Sequence, residues 1–434
     1  MSDQQFPGLS SVIIVGAGPS GLLLALLLAQ LSPRPNITIL DAAPTLNEAP
    51  RATHYGSPSI KLFRQVGILA EIRRDGYMPE KICWRKLSGE RITGYDRSLL
   101  HDGGLDGDGL TVYWVGRLCA LLERELKSRA GISVSWGHKV TALKCGLDPR
   151  DSSSSVAVEG PNGQITTLTA DYVVGCDGGN STIRRLMFGP RNFPGFSWDV
   201  PIVATNTMID LDKFGWEDTQ FIVHPEHWFM AARIQPHPDP AQNIWRISYG
   251  EKAGLTNEEL MARQETKFSQ MLPGCPQPRA YKILSKSPYR VHQRCVTKMR
   301  MGRVLLAADA AHLCNPFGGL GLTGGIVDVG ALCQCLSGIH SGVCDDDILD
   351  IYCSVQRGKW HDIINPVSTA NIRRLFLQDP EKALEEDEML QLILRAETDL
   401  ELSRQLQGAG NELIYDYTRH FHHGRGGVEG KARL

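Results

Sequence analysis

The stretch SVIIVGAGPSGLLLALLLAQL, residues 11–31, decides how the rest of the chain is read. It carries no formal charge, and on hydropathy alone it is long enough to span a bilayer. Its texture argues against a span. Gly16, Gly18, Pro19 and Gly21 break the run in its middle. The residues before them are β-branched and those after are Leu and Ala, so the segment reads as strand, tight turn and helix. A second apolar run over 37–40, ending at Asp41, completes a βαβ unit. In that context each part of the Gly16-Ala17-Gly18-Pro19-Ser20-Gly21 run has a physical task. Gly16 permits the turn, Gly18 lets the backbone approach a pyrophosphate, and Gly21 lets the helix pack on the strand. The N–H groups of the loop, Ala17 and Ser20 included, and the helix N-terminus offer positive potential to phosphates. Asp41, twenty residues after Gly21, is placed to accept hydrogen bonds from ribose hydroxyls, and its charge disfavours a 2′-phosphate. The expected nucleotide is FAD or NAD rather than NADP.

Outward from this unit, 434 residues suggest two to three domains. The 46 basic and 48 acidic side chains nearly cancel to a net charge of -2, which excludes a polybasic nucleic-acid binder and gives no electrostatic reason to sit on an anionic membrane. The 44 glycines cluster, as backbone-mediated ligand binding requires. Eleven cysteines without a Cys-x-x-Cys pair argue against a disulfide framework or a zinc site. With no secretory signal pattern, the expectation is a reducing, cytoplasmic setting, no metal and no stable membrane insertion.

Helical patterns are expected over 59–73 and 116–129, with short strands over 133–136, 156–159 and 172–174. Between 189 and 288 aromatic and β-branched residues alternate with polar ones, over 202–208, 219–223, 228–234 and 244–249, which suggests an antiparallel sheet with one wet face. A strand at 304–306 and a glycine-rich run to Gly325 return to the α/β style, and helices are expected beyond 349.

Two more motifs narrow the ligand. Asp177-Gly178-Gly179-Asn180-Ser181 with Arg184 follows one strand, and Ala308-Asp309-Ala310-Ala311-His312 follows another, with Pro316 and Gly318 to Gly321 behind it. Three motifs in this order over about 11–366 resemble the single-component flavoprotein aromatic hydroxylases of the p-hydroxybenzoate hydroxylase type. The run 315–332 is most similar to fungal members that tailor secondary metabolites. The resemblance implies an α/β fold: a Rossmann-like FAD-binding domain (1–75, 106–188 and 289–375), an inserted antiparallel β-sheet substrate domain (76–105 and 189–288) and a helical C-terminal segment (376–434).

It also implies roles. The first glycine motif holds the ADP part of FAD, and Asp177 and Gly178 serve both FAD and the pyridine nucleotide. Asp309 bonds the ribityl chain, and Pro316 lies beside the reactive edge of the flavin. Gly319, Gly321 and Leu322 bring N–H groups and a helix N-terminus to its pyrimidine end. Arg51 and Arg117 contact FAD or line its approach, and His312 is a structural, hydrogen-bonded histidine beside Asp309. His54 and Tyr55, on the wall between flavin and substrate, are the acid/base candidates, while His224, His227, Trp228 and Tyr249 could line the substrate face. Ala308 stands where most relatives have Gly, and Thr323 where many have Asn.

The implied reaction uses NADPH or NADH and O2 to hydroxylate a small phenolic substrate through a flavin C4a-hydroperoxide. Gly319-x-Gly321-x-x-Gly324 lacks a preceding strand, which disfavours a second Rossmann unit, and Trp198-Asp199-Val200-Pro201 lacks the first Trp of a halogenase motif. An FAD oxidase, a dehydrogenase, a Baeyer-Villiger-type oxygenase and a non-catalytic binder of aromatic ligands on the same fold are the alternatives.

Overall fold

The computed structural model describes residues 9–46, 52–100, 108–146 and 153–422. The expected βαβ unit is there: strand Ser11–Val15, helix Pro19–Leu28 and strand Asn36–Asp41. The helix starts at Pro19, earlier than hydropathy suggested, because proline at the first helical position brings a preset φ and lacks only an N–H that would have been orphaned. Residues Ser20 to Leu28 are all buried, and the helix packs on the helices Val115–Ala130 and Leu320–His340. Its apolar surface is thus consumed inside the protein. Helix Leu320–His340 is long and apolar enough to cross a membrane by length and composition, and most of it is buried in the core.

The unit belongs to a six-stranded sheet in the order Arg300–Met301, Val304–Leu306, Tyr172–Gly175, Ser11–Val15, Asn36–Asp41, Val134–Trp136. All pairs are parallel except the outermost one, Arg300–Met301 with Val304–Leu306. The chain order reverses between Ser11–Val15 and Tyr172–Gly175, and such a switch point leaves a crevice at the carboxyl ends of the strands. Register makes the crevice sharp: Val15 lies opposite both Leu40 and Gly175, and Gly175 lies opposite Leu306. Four strands therefore end side by side, and the loops beginning at Gly16, Asp41, Cys176 and Ala307 leave the sheet together.

A second sheet has seven strands in the order Lys282–Tyr289, Ile202–Met208, Ile244–Gly250, Phe229–Gln235, Thr219–Val223, Lys81–Lys86, Arg91–Asp96. Two features differ from the reading by alternation. The pair Thr219–Val223 with Lys81–Lys86 is parallel, since the two strands are joined through a long excursion and not by a hairpin. The expected wet face is not wet: Ile244–Gly250 is buried throughout and Ile202–Met208 at all but its last residue. One face carries Trp245, Ile247, Tyr249 and Phe229 onto Leu260, Phe268 and Met271 of the adjoining helices. The other carries Arg246 and Ser248, with Asn206 and Ala204 in register beside them, and is closed where Ile202, Trp84 and Trp228 meet Phe317 from the dinucleotide-side loops. Period-2 alternation reports a difference in polarity between two faces; the second layer that covers the polar face comes from distant sequence. The C-terminal helix Glu388–Ala396 packs against the Arg91–Asp96 strand.

Candidate active site

At the strand ends the glycines divide by what surrounds them. Gly16 has φ +107° and a Cβ there would lie 2.4 Å from the Cys176 carbonyl oxygen; at Gly21 it would lie 2.0 Å from the Gly16 carbonyl oxygen. Both are closed by backbone. A Cβ on Gly18 would meet nothing within 4 Å, so the loop presents its middle glycine to open space while its ends are locked. Gly178 and Gly319 also have positive φ, +77° and +63°, and a Cβ on either would again meet nothing within 4 Å. Asp41 braces the first loop: Oδ2 accepts from Ala17 N and Oδ1 from Ala43 N, both at 2.8 Å.

Asp177 shapes the loop that leaves the Tyr172–Gly175 strand. Its carboxylate accepts from Ser181 Oγ at 2.5 Å and from the backbone N–H of Thr182 and Ile183 at 2.6 and 3.1 Å, so it caps the helix Thr182–Phe188 and shapes the loop. Burial raises its pKa against these hydrogen bonds. Arg184, buried beneath, ties this loop to the next by donating to the carbonyls of Gly179 at 2.7 Å and Ala310 at 2.9 Å. Asp309 is the exposed residue between buried Ala308 and Ala310, as a carboxylate reaching into a crevice should be. Ala308 adopts φ +57°, a left-handed conformation that costs a residue with a Cβ about 1 kcal/mol, which accounts for glycine being usual there. His312 is the buried, hydrogen-bonded histidine that was expected: its Nε2 pairs with Asp328 Oδ2 at 2.7 Å, and the same carboxylate oxygen accepts from Ala308 N at 2.8 Å. Burial opposes the imidazolium, but the Asp328 charge and hydrogen bond outweigh it and raise the His312 pKa.

Pro316 is exposed at the first position of a short turn, and Asn315 caps that turn through Phe317 N at 3.1 Å. Gln293 fixes the turn from below, its Oε1 accepting from Asn315 N at 2.5 Å while its Nε2 donates to Asn365 Oδ1 and Ser368 Oγ at 2.9 and 3.1 Å. Gly319 follows and opens the Leu320–His340 helix, with Gly321 and the half-buried Leu322 in its first turn. Thr323, on that helix, accepts from Gly56 N at 3.2 Å and so holds the short strand His54–Tyr55 near the same place.

Strand alternation separates the two acid/base candidates. Tyr55 points into the core, its ring 5.3 Å from Phe63 and its hydroxyl buried without a partner among the described residues, so its candidacy is withdrawn. His54 lies on the other side. Its Nδ1 is 3.0 Å from Thr53 Oγ1, and its Nε2 is buried with no partner among the described residues. Burial, and after it the charge of Arg246, push this imidazole down to about 4, so it is neutral at pH 7. Arg117 is exposed, with its guanidinium 5.5 Å from the Trp114 ring, and Arg51 lies outside the described residues. Of the proposed lining residues, Trp228 packs edge-on to Phe317 at 5.3 Å, but Tyr249 faces the opposite core beside Phe268, and His224 and His227 stack on each other in a turn.

Sequence reasoning missed Arg246. It is 8 % exposed in the middle of the sheet, its Nε donates to Asn206 Oδ1 at 2.7 Å, and no carboxylate pairs with it among the described residues. Burial pulls its pKa down to about 10, which leaves it charged at neutral pH. Ser248 follows two residues on along the same face, and Tyr289, whose phenol is pushed up by burial, contributes its charge interaction to Arg246. The available signal was the pattern Arg246-x-Ser248 opposed to Trp245-x-Ile247-x-Tyr249, a polar stripe inside an otherwise apolar strand.

The donor set fits an elongated dinucleotide: an open glycine flanked by locked ones, a helix N-terminus, an exposed aspartate and a second helix N-terminus around one crevice. The chain matches the model of the FAD binding domain family over residues 10–360, and it belongs to that family. Its relatives define the class further as aromatic monooxygenases that use FAD. It is 31 % identical over 397 residues to a para-nitrophenol 4-monooxygenase of a Pseudomonas species, across 92 % of this chain and 94 % of that one. It is 34 % identical over 370 residues to a 6-hydroxy-3-succinoylpyridine 3-monooxygenase of Pseudomonas putida, across 85 % and 90 % of the two chains. The crystal structure of a p-nitrophenol 4-monooxygenase from Pseudomonas putida superposes with a TM-score of 0.83 at 29 % identity, covering 94 % of this chain and 98 % of that one.

Proposed function

We propose that this protein hydroxylates a small phenolic ring, with FAD in the strand-end crevice, NADPH or NADH as electron donor and O2 as oxygen source. FAD, when bound, supplies the redox and oxygen chemistry. The protein's part is to hold the ring, keep water out and manage one proton. Gly16, Ala17, Gly18, Ser20 and Gly21 take the pyrophosphate, Asp41 the adenosine ribose and Asp309 the ribityl chain. Pro316, Gly319, Gly321 and Leu322 bound the reactive ring system, and Asp177 and Gly178 support the loop between them. His54, neutral and with an Nε2 that has no partner among the described residues, is the group able to accept the phenolic proton. Met230 and Phe221, in register beside Ser248, continue the face as an apolar wall.

The observation that carries this reading is the placement of a buried polar face, Arg246 with Asn206 and Ser248, against the Phe317 turn at the end of the crevice. The division into residues 1–75, 106–188 and 289–375 for FAD, 76–105 and 189–288 for substrate and 376–434 as a helical segment is proposed from the two sheets and the helices that follow them, and a cytoplasmic location from the cysteine pattern of the sequence. The relatives named above are bacterial, and the finer reading, a tailoring step of secondary metabolism of the fungal type, is proposed on the similarity of the run 315–332 alone. The test is purification with FAD, followed by measurement of substrate-stimulated NADPH oxidation under isotopically labelled O2. Label in the hydroxylated product is the expected result; label found only in water or peroxide overturns the reading.

A further inference from the structure

A three-residue turn has little of its own to hold it in place. Pro316–Gly318 begins with a proline, which has no N–H to donate, and ends at Gly319 in the left-handed region, φ +63°. Its local ties among the described residues are Phe317 N to Asn315 Oδ1 and Gly319 N to the Pro316 carbonyl, both at 3.1 Å. So few bonds beside a glycine leave a segment that opens locally unless its surroundings fix it. Here they do, along its whole length and from one helical element.

That element is the helix Asn365–Phe376 with the π-turn Trp360–Ile364 ahead of it. Trp360 Nε1 donates to the Leu313 carbonyl at 3.3 Å, and Asn371 Nδ2 donates to the Phe317 carbonyl at 3.4 Å. A Cβ on Gly318 would lie 2.9 Å from Ser368 Cβ, so turn and helix touch with no room between them. Gln293 makes the central link. Gln293, Asn315 and Ser368 are each 0 % exposed, so water cannot replace a lost partner. Gln293 Oε1 accepts from Asn315 N at 2.5 Å, and since a backbone N–H can only donate, the sense of the amide is fixed. Its Nε2 therefore faces the helix, where Asn365 Oδ1, Ser368 Oγ and Thr369 Oγ1 lie at 2.9, 3.1 and 3.2 Å. In an unbroken α-helix Asn365 would stand about 140° around the axis from Trp360. The wider π-turn narrows that angle and lets both reach one loop; such turns gather at functional sites. Behind the helix, Arg374 donates to Asn371 Oδ1 at 2.6 Å and pairs with Asp387 at 2.7 Å, which anchors the clamp in the C-terminal segment.

We infer that Gln293 is a positioning residue: by locking the Pro316–Gly318 turn to this helix it holds the flavin ring still, and so sets how much of the consumed NADPH ends in hydroxylated product and how much in hydrogen peroxide. The inference rests on the proposed hydroxylation, with Pro316 beside the reactive edge, and adds what governs its yield. The turn is a wedge between the crevice and the substrate sheet, since Phe317 packs edge-on to Trp228 at 5.3 Å. A turn that shifts disturbs both the ring's seat and the wall that keeps water out. The balance of atoms makes the loss measurable. With insertion, the two electrons of NADPH send one oxygen atom of O2 into the substrate and the other into water; without it, the same two electrons and two protons leave O2 as hydrogen peroxide.

The experiment compares three FAD-loaded variants with wild type. Gln293→Met keeps the side-chain length and removes every hydrogen bond of the amide. Asn371→Asp keeps the acceptor for Arg374 and removes the donor to the Phe317 carbonyl. Gln356→Met is the control: it removes an equally buried amide, bonded to the Tyr417 hydroxyl at 3.3 Å in the core of the other sheet. The first measurement needs no turnover: the anisotropy decay of the bound flavin's fluorescence without NADPH. Gln293→Met should raise the amplitude of fast ring motion about threefold, Asn371→Asp should raise it less, and Gln356→Met should match wild type. The second, with NADPH and 4-nitrophenol, is the ratio of hydrogen peroxide to hydroxylated product. It should rise about fivefold in Gln293→Met while KM for 4-nitrophenol stays within about threefold, a split that general destabilisation does not produce. A Gln293→Met enzyme with wild-type anisotropy or a wild-type ratio, or a Gln356→Met enzyme that moves both as far, overturns the inference. Should Gln293→Met fail to hold FAD, Asn371→Asp decides by the same measurements, unchanged values overturning it. Failure of hydroxylation itself would show as absent oxygen label in the wild-type product, and the anisotropy alone then decides.

Discussion

The two halves of the candidate site are built on opposite plans. Around the strand ends the candidate site is made of backbone: four parallel strands stop in register, and glycines locked by neighbouring carbonyls hold the loops open. On the sheet face it is made of side chains, and they come from strands far apart in the chain. Two histidines show the difference in electrostatic form. His312 sits against the Asp328 carboxylate, which outweighs burial and pulls it toward its charged form, whereas His54 is pushed away from that form first by burial and then by the Arg246 cation. The fold of a backbone site tolerates side-chain change at its open positions and none at its locked ones; a side-chain site depends on which charges face each other.

The strongest challenge to this contrast is Gly21→Ala. The added Cβ would lie 2.0 Å from the Gly16 carbonyl oxygen, and since both atoms belong to the loop itself no flexible side chain can move aside. Loss of bound flavin absorbance and a fall in stability of more than about 3 kcal/mol, or insoluble protein, are expected. Retained flavin with an unchanged Tm would break the claim that the loop ends are locked.

Next in size is the pH response of the two histidines. His54 is lowered in the folded state from 6.5 to about 4, so the unfolded chain takes up its proton first, and stability falls as pH drops from about 6.5 toward 4, by up to about 3 kcal/mol. His312 is raised, so its contribution is complete below 6.5 and is lost as pH rises through its folded value. Chemical unfolding of His54→Gln should show a flatter acid limb than wild type, and His312→Gln a flatter limb on the neutral-to-alkaline side. Parallel limbs for wild type and His54→Gln would remove the Arg246–His54 opposition.

Gly18→Ala sharpens the comparison. With no atom within 4 Å of the new Cβ and an ordinary φ of -75°, the fold should keep its stability within about 0.5 kcal/mol when FAD is removed. FAD affinity, measured by fluorescence titration, should nonetheless fall at least tenfold, since the methyl occupies the space left for the pyrophosphate. A fall in apoprotein Tm with unchanged FAD affinity would contradict the assignment. The smallest effect is expected for Ala308→Gly: it relieves φ +57° and should add about 0.5 to 1 kcal/mol, seen as a rise in Tm.

The glycine loop, its strand and its helix were legible because their causes are local. A β-branched run, a proline at the first helical position and a glycine at the one φ that forbids other residues act within ten residues of each other. The Asp177 and Asp309 segments were legible as motifs, but the work of Asp177 was not: only the folded loop reveals that its carboxylate is spent on Ser181 and the N–H groups of Thr182 and Ile183. His54 and Tyr55 look equivalent in the chain, and a two-residue strand sends them to opposite sides.

What the sequence determined by itself is the set of conformations its glycines, prolines and β-branched runs allow, and through them the βαβ unit, the parallel sheet and the glycine loops at its strand ends. Propensity and period act over a few residues, so a single chain carries them in full. What tertiary structure alone decided is which polar groups act on one another across the fold: that Asp328 pairs with His312, and that the charge of Arg246 reaches His54. Charges interact through space, strengthened where water is removed, and that distance and that burial exist only once both sheets are packed.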